Sequence, residues 1–302
     1  MAKNTKNEVS AARRAKHGGI LTLIFTIISI AWISPIFIVL MNSFKKGAFI
    51  FKNPFGLGRY PITDGFDRWK KGLEQAFFGL KNYTNGIKKA DFFNSFKNSL
   101  VITVGSVLLI VICCSMCAWY VVRVKNMVTK IIYVLCLFSM IVPFQMVMFT
   151  LSKFANLLHL YNPFGIMIVY LGFGAGLAVF MFTGFVKSIP LEIEEAAMID
   201  GCTPIQTYFQ VVLPIMKPTV VTVAILDAMW IWNDYLLPYL VLDINKYKTI
   251  PIAVQFLKQS HGNIDWGAMM AVLVLAILPI IIFYLIGQKY IIEGVMAGAV
   301  KG

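Results

Sequence analysis

EEAAMIDGCTPIQTYFQVVLPIMKP, residues 194–218, lies between two apolar runs, 164–186 and 219–241. It holds three acids, two glutamines and three prolines. A helix needs about 20 apolar residues to cross ~30 Å of hydrocarbon, and both flanking runs meet that length. The polar stretch is therefore read as a connection between membrane spans. Four further runs, 20–41, 99–122, 131–150 and 267–286, are as long and as apolar. Five of the six carry no charged residue, and 219–241 carries two, Asp227 and Asp234. With 59% hydrophobic residues and a mean hydropathy of +0.76, the 302-residue chain is too apolar for a soluble domain. The expected fold is all-α: a polytopic membrane protein of six transmembrane helices.

The expected organisation follows from those runs. Residues 1–19 form an N-terminal segment, and 20–98 a first span with a long outer loop. Residues 99–290 form a core of five spans containing a hairpin at 190–218, and 291–302 a tail. A basic region precedes the first run and no small-residue cleavage site follows it, so 20–41 is read as an uncleaved span. Lys3, Lys6, Arg13, Arg14 and Lys16 before that run, with Arg123, Lys125 and Lys130 in the short loop 123–130, favour cytoplasmic termini. Loop 151–163 has only Lys153, while the eleven basic residues of loop 42–98 pull the other way. The formal charge of +13 is explained by these membrane-flanking lysines and arginines, without nucleic acid.

Several chemistries find no footing. The sequence has no Gly-Lys pair, and so no phosphate-cradling loop of the G-x-x-x-x-G-K type. His17, His159 and His261 are scattered, which argues against a metal cluster or a catalytic pair. Cys113, Cys114, Cys117, Cys136 and Cys202 fall in spans or in the hairpin, so the C-x-x-C at 114–117 reads as inert buried thiols. The glycines of GFGAG (172–176) read as close helix packing. No internal repeat of the kind common in secondary transporters is evident. The chain looks like a pathway without an engine.

The hairpin has its own local logic. Pro190 suits the first turn of a helix, where its missing N–H costs nothing. Glu192, Glu194 and Glu195 then fall near the positive end of the helix dipole. The helix runs through Met198 and Ile199 to Asp200, and Gly201 is placed to adopt the left-handed cap. Thr203, Pro204 and Gln206 supply the N-cap, the first-position proline and the capping-box partner of a second helix. Pro214 and Pro218 are expected to end it. Surface-seeking helices favour Lys and Arg. An acid-bearing helix–turn–helix therefore reads better as a docking knob for a partner protein than as a loop resting on the bilayer.

The run EAAMIDGCTPIQTYFQVVLP (195–214) resembles the EAA signature of ABC-importer permeases. Glu195, Ala196, Ala197, Asp200, Gly201, Leu213 and Pro214 match it, and Cys202 stands where the family usually has alanine. IVPFQ (141–145), GFVKSIP (184–190), WNDYLLP (232–238), KTIPIAV (248–254) and GVMAGAVKG (294–302) resemble the carbohydrate-uptake branch, in its maltose-transporter second-permease subfamily. The resemblance covers residues 80–302.

It implies a type I importer permease fold whose hairpin is the cytoplasmic coupling helix, seated in a cleft of an ATPase subunit. It also implies a heterodimer with a second homologous permease, an ATPase dimer holding ATP and Mg, and an extracellular substrate-binding protein. The cargo would be a di- or oligosaccharide, with no cofactor and no catalysis on this chain, in a multi-pass cell-membrane setting. The tail GVMAGAVKG would reach the ATPase dimer. Two alternatives stay open: another polar cargo such as glycerol phosphate, or an ion-coupled secondary transporter.

Residues 42–79 depart from that subfamily, being longer and more aromatic. They read either as interfacial segments or as docking surface for the binding protein. Asp227, Trp230, Ile231 and Asp234 recur at i, i+3, i+4 and i+7, which places them on one helical face. Asp227, Trp230, Asn233 and Asp234 are candidate translocation-path residues. Packing against the second permease is the competing reading, and membrane-embedded acids also suit an ion site.

Overall fold

The computed structural model describes residues 18–259 and 264–299, so Lys3, Lys6, Arg13, Arg14, Lys16, His17, His261 and the last three tail residues lie outside it. The described residues are helical, with no strand among them and one isolated bridge between Lys45 and Phe77. Two compact units form, one from residues up to 85 with 265–274, the other from 86–264 and 275 onward.

In the first unit, α1 (Gly18–Ser43) contains the expected run 20–41. It is apolar on every side and buries only Asn42 and Ser43, while Trp32 is 81% exposed. A helix hydrophobic all round requires an apolar surrounding. The segment beyond it, expected as interfacial pieces or as docking surface, contains α2 (Phe66–Ala76) and is followed by α3 (Lys81–Lys89). Asn82 Nδ2 donates to the carbonyls of Ser43 (2.8 Å) and Lys45 (2.7 Å). Ser43 Oγ and the Tyr83 hydroxyl lie 2.7 Å apart. Part of the aromatic–basic mixture is paired, with the Arg59 and Arg68 guanidinium groups over the Tyr60 ring at 5.0 and 4.6 Å.

Lys45 is 2% exposed, and its Nζ donates to Asn42 Oδ1 (2.9 Å) and the Asn53 carbonyl (2.8 Å). Lost hydration pushes its pKa down from 10.5 to about 8. Between those two values the unfolded chain binds more protons than the folded one, so stability rises with pH across that window and is lowest below it. Amide exchange in residues 42–85, corrected for intrinsic rates, should therefore slow from neutral pH to about 9.5 in the native chain. The slowing should be absent in Lys45→Met. Identical pH slopes in the two proteins would remove Lys45 as its cause.

The second unit is built on α4 (Phe92–Arg123), packed most extensively on α7 (Pro163–Val186). Between them in the chain run α5 (Met127–Ile141) and α6 (Phe144–Leu157). Two of the three GFGAG glycines serve close helix packing. A Cβ on Gly174 would meet Ile110 of α4 at 2.6 Å, and one on Gly176 would meet Met140 at 2.5 Å and Ser139 at 2.6 Å on α5. The third glycine, Gly172, faces open space.

The hairpin comprises α8 (Leu191–Ile199) and α9 (Pro204–Ile215). After it come α10 (Lys217–Asn233), α11 (Leu236–Val241), α12 (Ile250–Gln259) and α13 (Trp266–Ala299). The last helix runs well past the expected end at 286, carrying the described part of the tail as helix.

Four described helices, α1, α4, α7 and the 266–289 part of α13, are each long and apolar enough to cross a membrane. Two bent pairs, α5 with α6 and α9 with α10, bring the number to six. Two expected spans are thus not single helices. The run 131–150 breaks at Val142–Pro143, and its halves diverge by 110°. Proline offers no N–H and pushes the residue before it out of the helical region; Val142 sits at φ −78°, ψ 114°. The run 219–241 stops at Asn233, turns extended at Asp234 (φ −71°, ψ 125°) and restarts as α11.

Candidate functional site

The hairpin's caps form as the residues dictate. Gly201 sits at φ +91°, its N–H donates to the Met198 carbonyl (3.1 Å), and the Cys202 N–H donates to the Ala197 carbonyl (3.0 Å). This paired closure of a helix end needs a left-handed residue, which glycine supplies without a Cβ penalty. The Gln206 N–H donates to Thr203 Oγ1 (3.3 Å), and the Thr203 N–H to Gln206 Oε1 (2.8 Å), completing the capping box.

The second helix ends at Ile215, between Pro214 and Pro218 as expected, with Pro214 inside its last turn. A wide helical turn over Tyr208–Val212 precedes it, and the chain continues to Ile215 before bending 77° into α10. Wide turns of this kind accommodate a break in the i→i−4 ladder, and a proline makes such a break.

The hairpin's tip is free and its base is gripped. Glu195, Ala196, Asp200, Gly201 and Pro214 are exposed, Leu213 is half-buried and Ala197 is buried. Around the glycine turn, Met198, Ile199 and Ile205 are exposed, Ile199 by 85%. At the base, Glu194 is 1% exposed. Its Oε1 accepts from Arg123 Nε (2.9 Å) and Nη2 (2.6 Å), and its Oε2 from Trp119 Nε1 (2.9 Å). The same Arg123 Nη2 donates to the Ile189 carbonyl (3.0 Å).

The second arm is held from the same helix. The Tyr208 and Ser115 hydroxyls lie 2.5 Å apart, and the Tyr208 and Trp119 rings 5.5 Å apart. Ser115, Trp119 and Arg123 recur every four residues, so one face of α4 holds both arms. Glu194, one of the three dipole-facing acids, is therefore also the anchor of the hairpin's base, a role its place near the helix start does not announce. The signal was its spacing, since Glu194 and Ala197 are the buried pair on α8 at i, i+3.

The expected face on α10 keeps Asp227, Trp230 and Ile231 at i, i+3 and i+4 but loses Asp234. Asp227 (4% exposed) and Ile231 are buried, whereas Trp230 is 41% exposed and Asn233 exposed. Asp234 leaves the helix altogether. Its Oδ1 accepts from the N–H groups of Leu236 (3.0 Å) and Leu237 (3.4 Å), capping α11, and its Oδ2 accepts from the Tyr170 hydroxyl (3.0 Å). Tyr170, to which no local sequence signal points, also meets Trp230 edge-on with ring centroids 5.5 Å apart. Trp230, Asp234 and Tyr170 are thus brought together. Asp227 is not among them, and the Asn233 amide donates to the Met229 carbonyl (2.7 Å).

Among the described residues no three His, Cys, Asp or Glu side chains gather as a metal site. Of the C-x-x-C pair expected to be buried, Cys114 is and Cys117 is half-buried; Cys113 is exposed, and Cys136 and Cys202 are half-buried.

Residues 107–296 match the family described as "Binding-protein-dependent transport system inner membrane component". The chain is 38% identical over 282 residues to the "Probable starch degradation products transport system permease protein AmyC" of Thermoanaerobacterium thermosulfurigenes, covering 93% of this chain and 96% of that one. It is 33% identical over 288 residues to the "Multiple sugar-binding transport system permease protein MsmG" of Streptococcus mutans, covering 94% of each. In fold it is similar to a chain in the crystal structure of a bacterial ABC transporter involved in the import of the polysaccharide alginate. That likeness has a TM-score of 0.70 at 23% identity and covers 92% of this chain and 98% of that one. The all-α architecture is that of an ABC-importer permease, and a multi-pass membrane location follows from the family and the apolar helices. The chain belongs to the family of binding-protein-dependent transport system inner membrane components.

Proposed function

We propose that this chain is one permease of a heterodimeric pair that imports a sugar, a di- or oligosaccharide, at the expense of ATP. The observation that carries this reading is the hairpin. It presents an exposed tip of apolar and acidic residues around Gly201, on a base tied through both arms to α4. An exposed apolar patch rimmed by polar groups suits a protein partner. The starch-product and multiple-sugar systems named for its relatives support the cargo class.

The partner at the tip is an ATPase subunit, one of a dimer that holds ATP and Mg. This chain performs no hydrolysis and takes no cofactor of its own. The hairpin and both termini face the cytoplasm, and a substrate-binding protein delivers the sugar on the other side. Glu195, Ala196, Ala197, Asp200, Gly201, Leu213 and Pro214 form the coupling surface. When the ATPases close, the hairpin moves as a lever, and the grip of Ser115, Trp119 and Arg123 hands the motion to α4.

The sugar's path runs by Asp227, Trp230, Asn233 and Asp234. Exposed Trp230 offers an aromatic face beside a carboxylate fixed by Tyr170, a pairing that suits the apolar face and the hydroxyls of a sugar ring. Uptake into vesicles holding this chain, its partner permease, the ATPase and the binding protein should require both ATP and the binding protein. Asp227→Asn keeps the shape of the side chain and removes its charge. ATP-driven uptake in that variant should stay within about threefold of native, the change expected from a residue that keeps its packing. Uptake that needs only an ion gradient, and that this substitution abolishes, would instead make the chain a secondary transporter.

A further inference from the structure

A cavity of about 1100 Å³ opens where α4 and α7 end and α5 begins, at the end of these helices that carries the hairpin. Lys125, Lys130 and Lys187 line it, and no acidic side chain among the described residues does. Arg123 also reaches it, but its charge is committed to Glu194. Among the described residues none of the three lysine side chains has an ion pair or a hydrogen bond. Thr183 lines the same cavity, 2% exposed, and its hydroxyl has no hydrogen-bond partner. A buried hydroxyl left unmatched costs free energy that an incoming acceptor would recover.

We infer that this cavity holds the phosphate of an anionic phospholipid headgroup. Lys125, Lys130 and Lys187 supply the positive charge, and Thr183 supplies a donor. Basic pockets between membrane helices at the interface have this affinity. Two features favour a lipid over a free anion. The cavity sits at the ends of spans, where headgroups lie. Met127, which lines the cavity, is also 71% exposed, and beside it on α5 Val128 (62%) and Ile131 (47%) add apolar surface fit for acyl chains. This inference needs only that the helices cross a bilayer, and stands apart from the identity of the cargo.

Native mass spectrometry of the full chain in detergent would test it, with phosphatidylglycerol, phosphatidylcholine and inorganic phosphate as probes. The native chain should retain phosphatidylglycerol in preference to phosphatidylcholine. Each basic side chain near an anionic surface contributes roughly fivefold. The Lys125→Gln, Lys130→Gln, Lys187→Gln triple variant should therefore bind phosphatidylglycerol on the order of a hundredfold more weakly. Thr183→Val, close in shape, should weaken it severalfold while thermal stability in phosphatidylcholine does not fall, since it removes an unmatched buried hydroxyl. Equal phosphatidylglycerol retention by native and triple-variant chains would overturn the inference. So would saturation by inorganic phosphate with no preference between the two lipids, which would make the cavity a free-anion site.

Discussion

Gly201→Val should abolish ATP-driven uptake while leaving the chain in the membrane. Gly201 adopts φ +91° with nothing within 4 Å of where a Cβ would stand, so the substitution meets no steric neighbour and acts through the backbone alone. A β-branched residue at positive φ is a strong outlier, and such strain costs of order 1–3 kcal/mol. The cheapest relief is to let the turn revert to negative φ. That breaks the hydrogen bonds from Gly201 to Met198 and from Cys202 to Ala197, and swings α9 away from α8.

The tip formed by Met198, Ile199 and Ile205 then no longer presents one surface. Loss of a docking surface is an all-or-none event for a lever, so uptake should fall at least a hundredfold, as ~3 kcal/mol implies. Gly201→Asn is the graded control, since asparagine tolerates the left-handed region and should retain part of the activity. Glu195→Lys, which leaves the backbone alone, should weaken co-purification of the ATPase. Native uptake in Gly201→Val would remove the hairpin from the coupling path.

What could be read from the residues divides by range. The caps at Gly201 and at Thr203–Pro204–Gln206 involve neighbours within five positions, so local chemistry settles them and the structure agrees. The six apolar runs were legible because hydropathy sums are insensitive to detail. The same insensitivity hid the break at Val142–Pro143, where the composition stays apolar while the backbone cannot continue.

Asp234 shows the other limit. Its spacing from Asp227 promised a shared face, but its oxygens go to Tyr170 from another helix and to the first N–H groups of α11. A capping carboxylate ends the helix on which the shared face depended. Spacing can mark one member of such a long-range polar pair as buried, as at Glu194, but no periodic signature names its partner.

Glu194 is the costliest of the residues whose role lies in such a pair, and removing it should separate ATP hydrolysis from transport. Glu194→Ala leaves the Arg123 guanidinium, whose side chain is 19% exposed, without its counter-charge, and strips the acceptor from Trp119. Breaking one partner of a buried ion pair costs about 3–5 kcal/mol. That loss falls on the joint between α8 and α4 rather than on the docking tip, which keeps its cap and its exposed face. The ATPase should therefore still bind and hydrolyse ATP, while sugar uptake falls tenfold or more, because the lever turns without carrying α4.

Arg123→Gln should produce the same separation. The two changes combined should cost less than the sum of the singles, since the second removes the orphaned charge that the first created. If the role were only to stabilise the fold, hydrolysis, uptake and thermal stability would fall together. A proportional loss of all three, or strict additivity of the two substitutions, would exclude the joint. The Ser115–Tyr208 contact gives the independent check, because it holds the other arm to the same helix face. Tyr208→Phe removes one hydroxyl and no charge, worth about 1 kcal/mol. It should show a weaker form of the same uncoupling, with α9 loosened and α8 still gripped by Glu194.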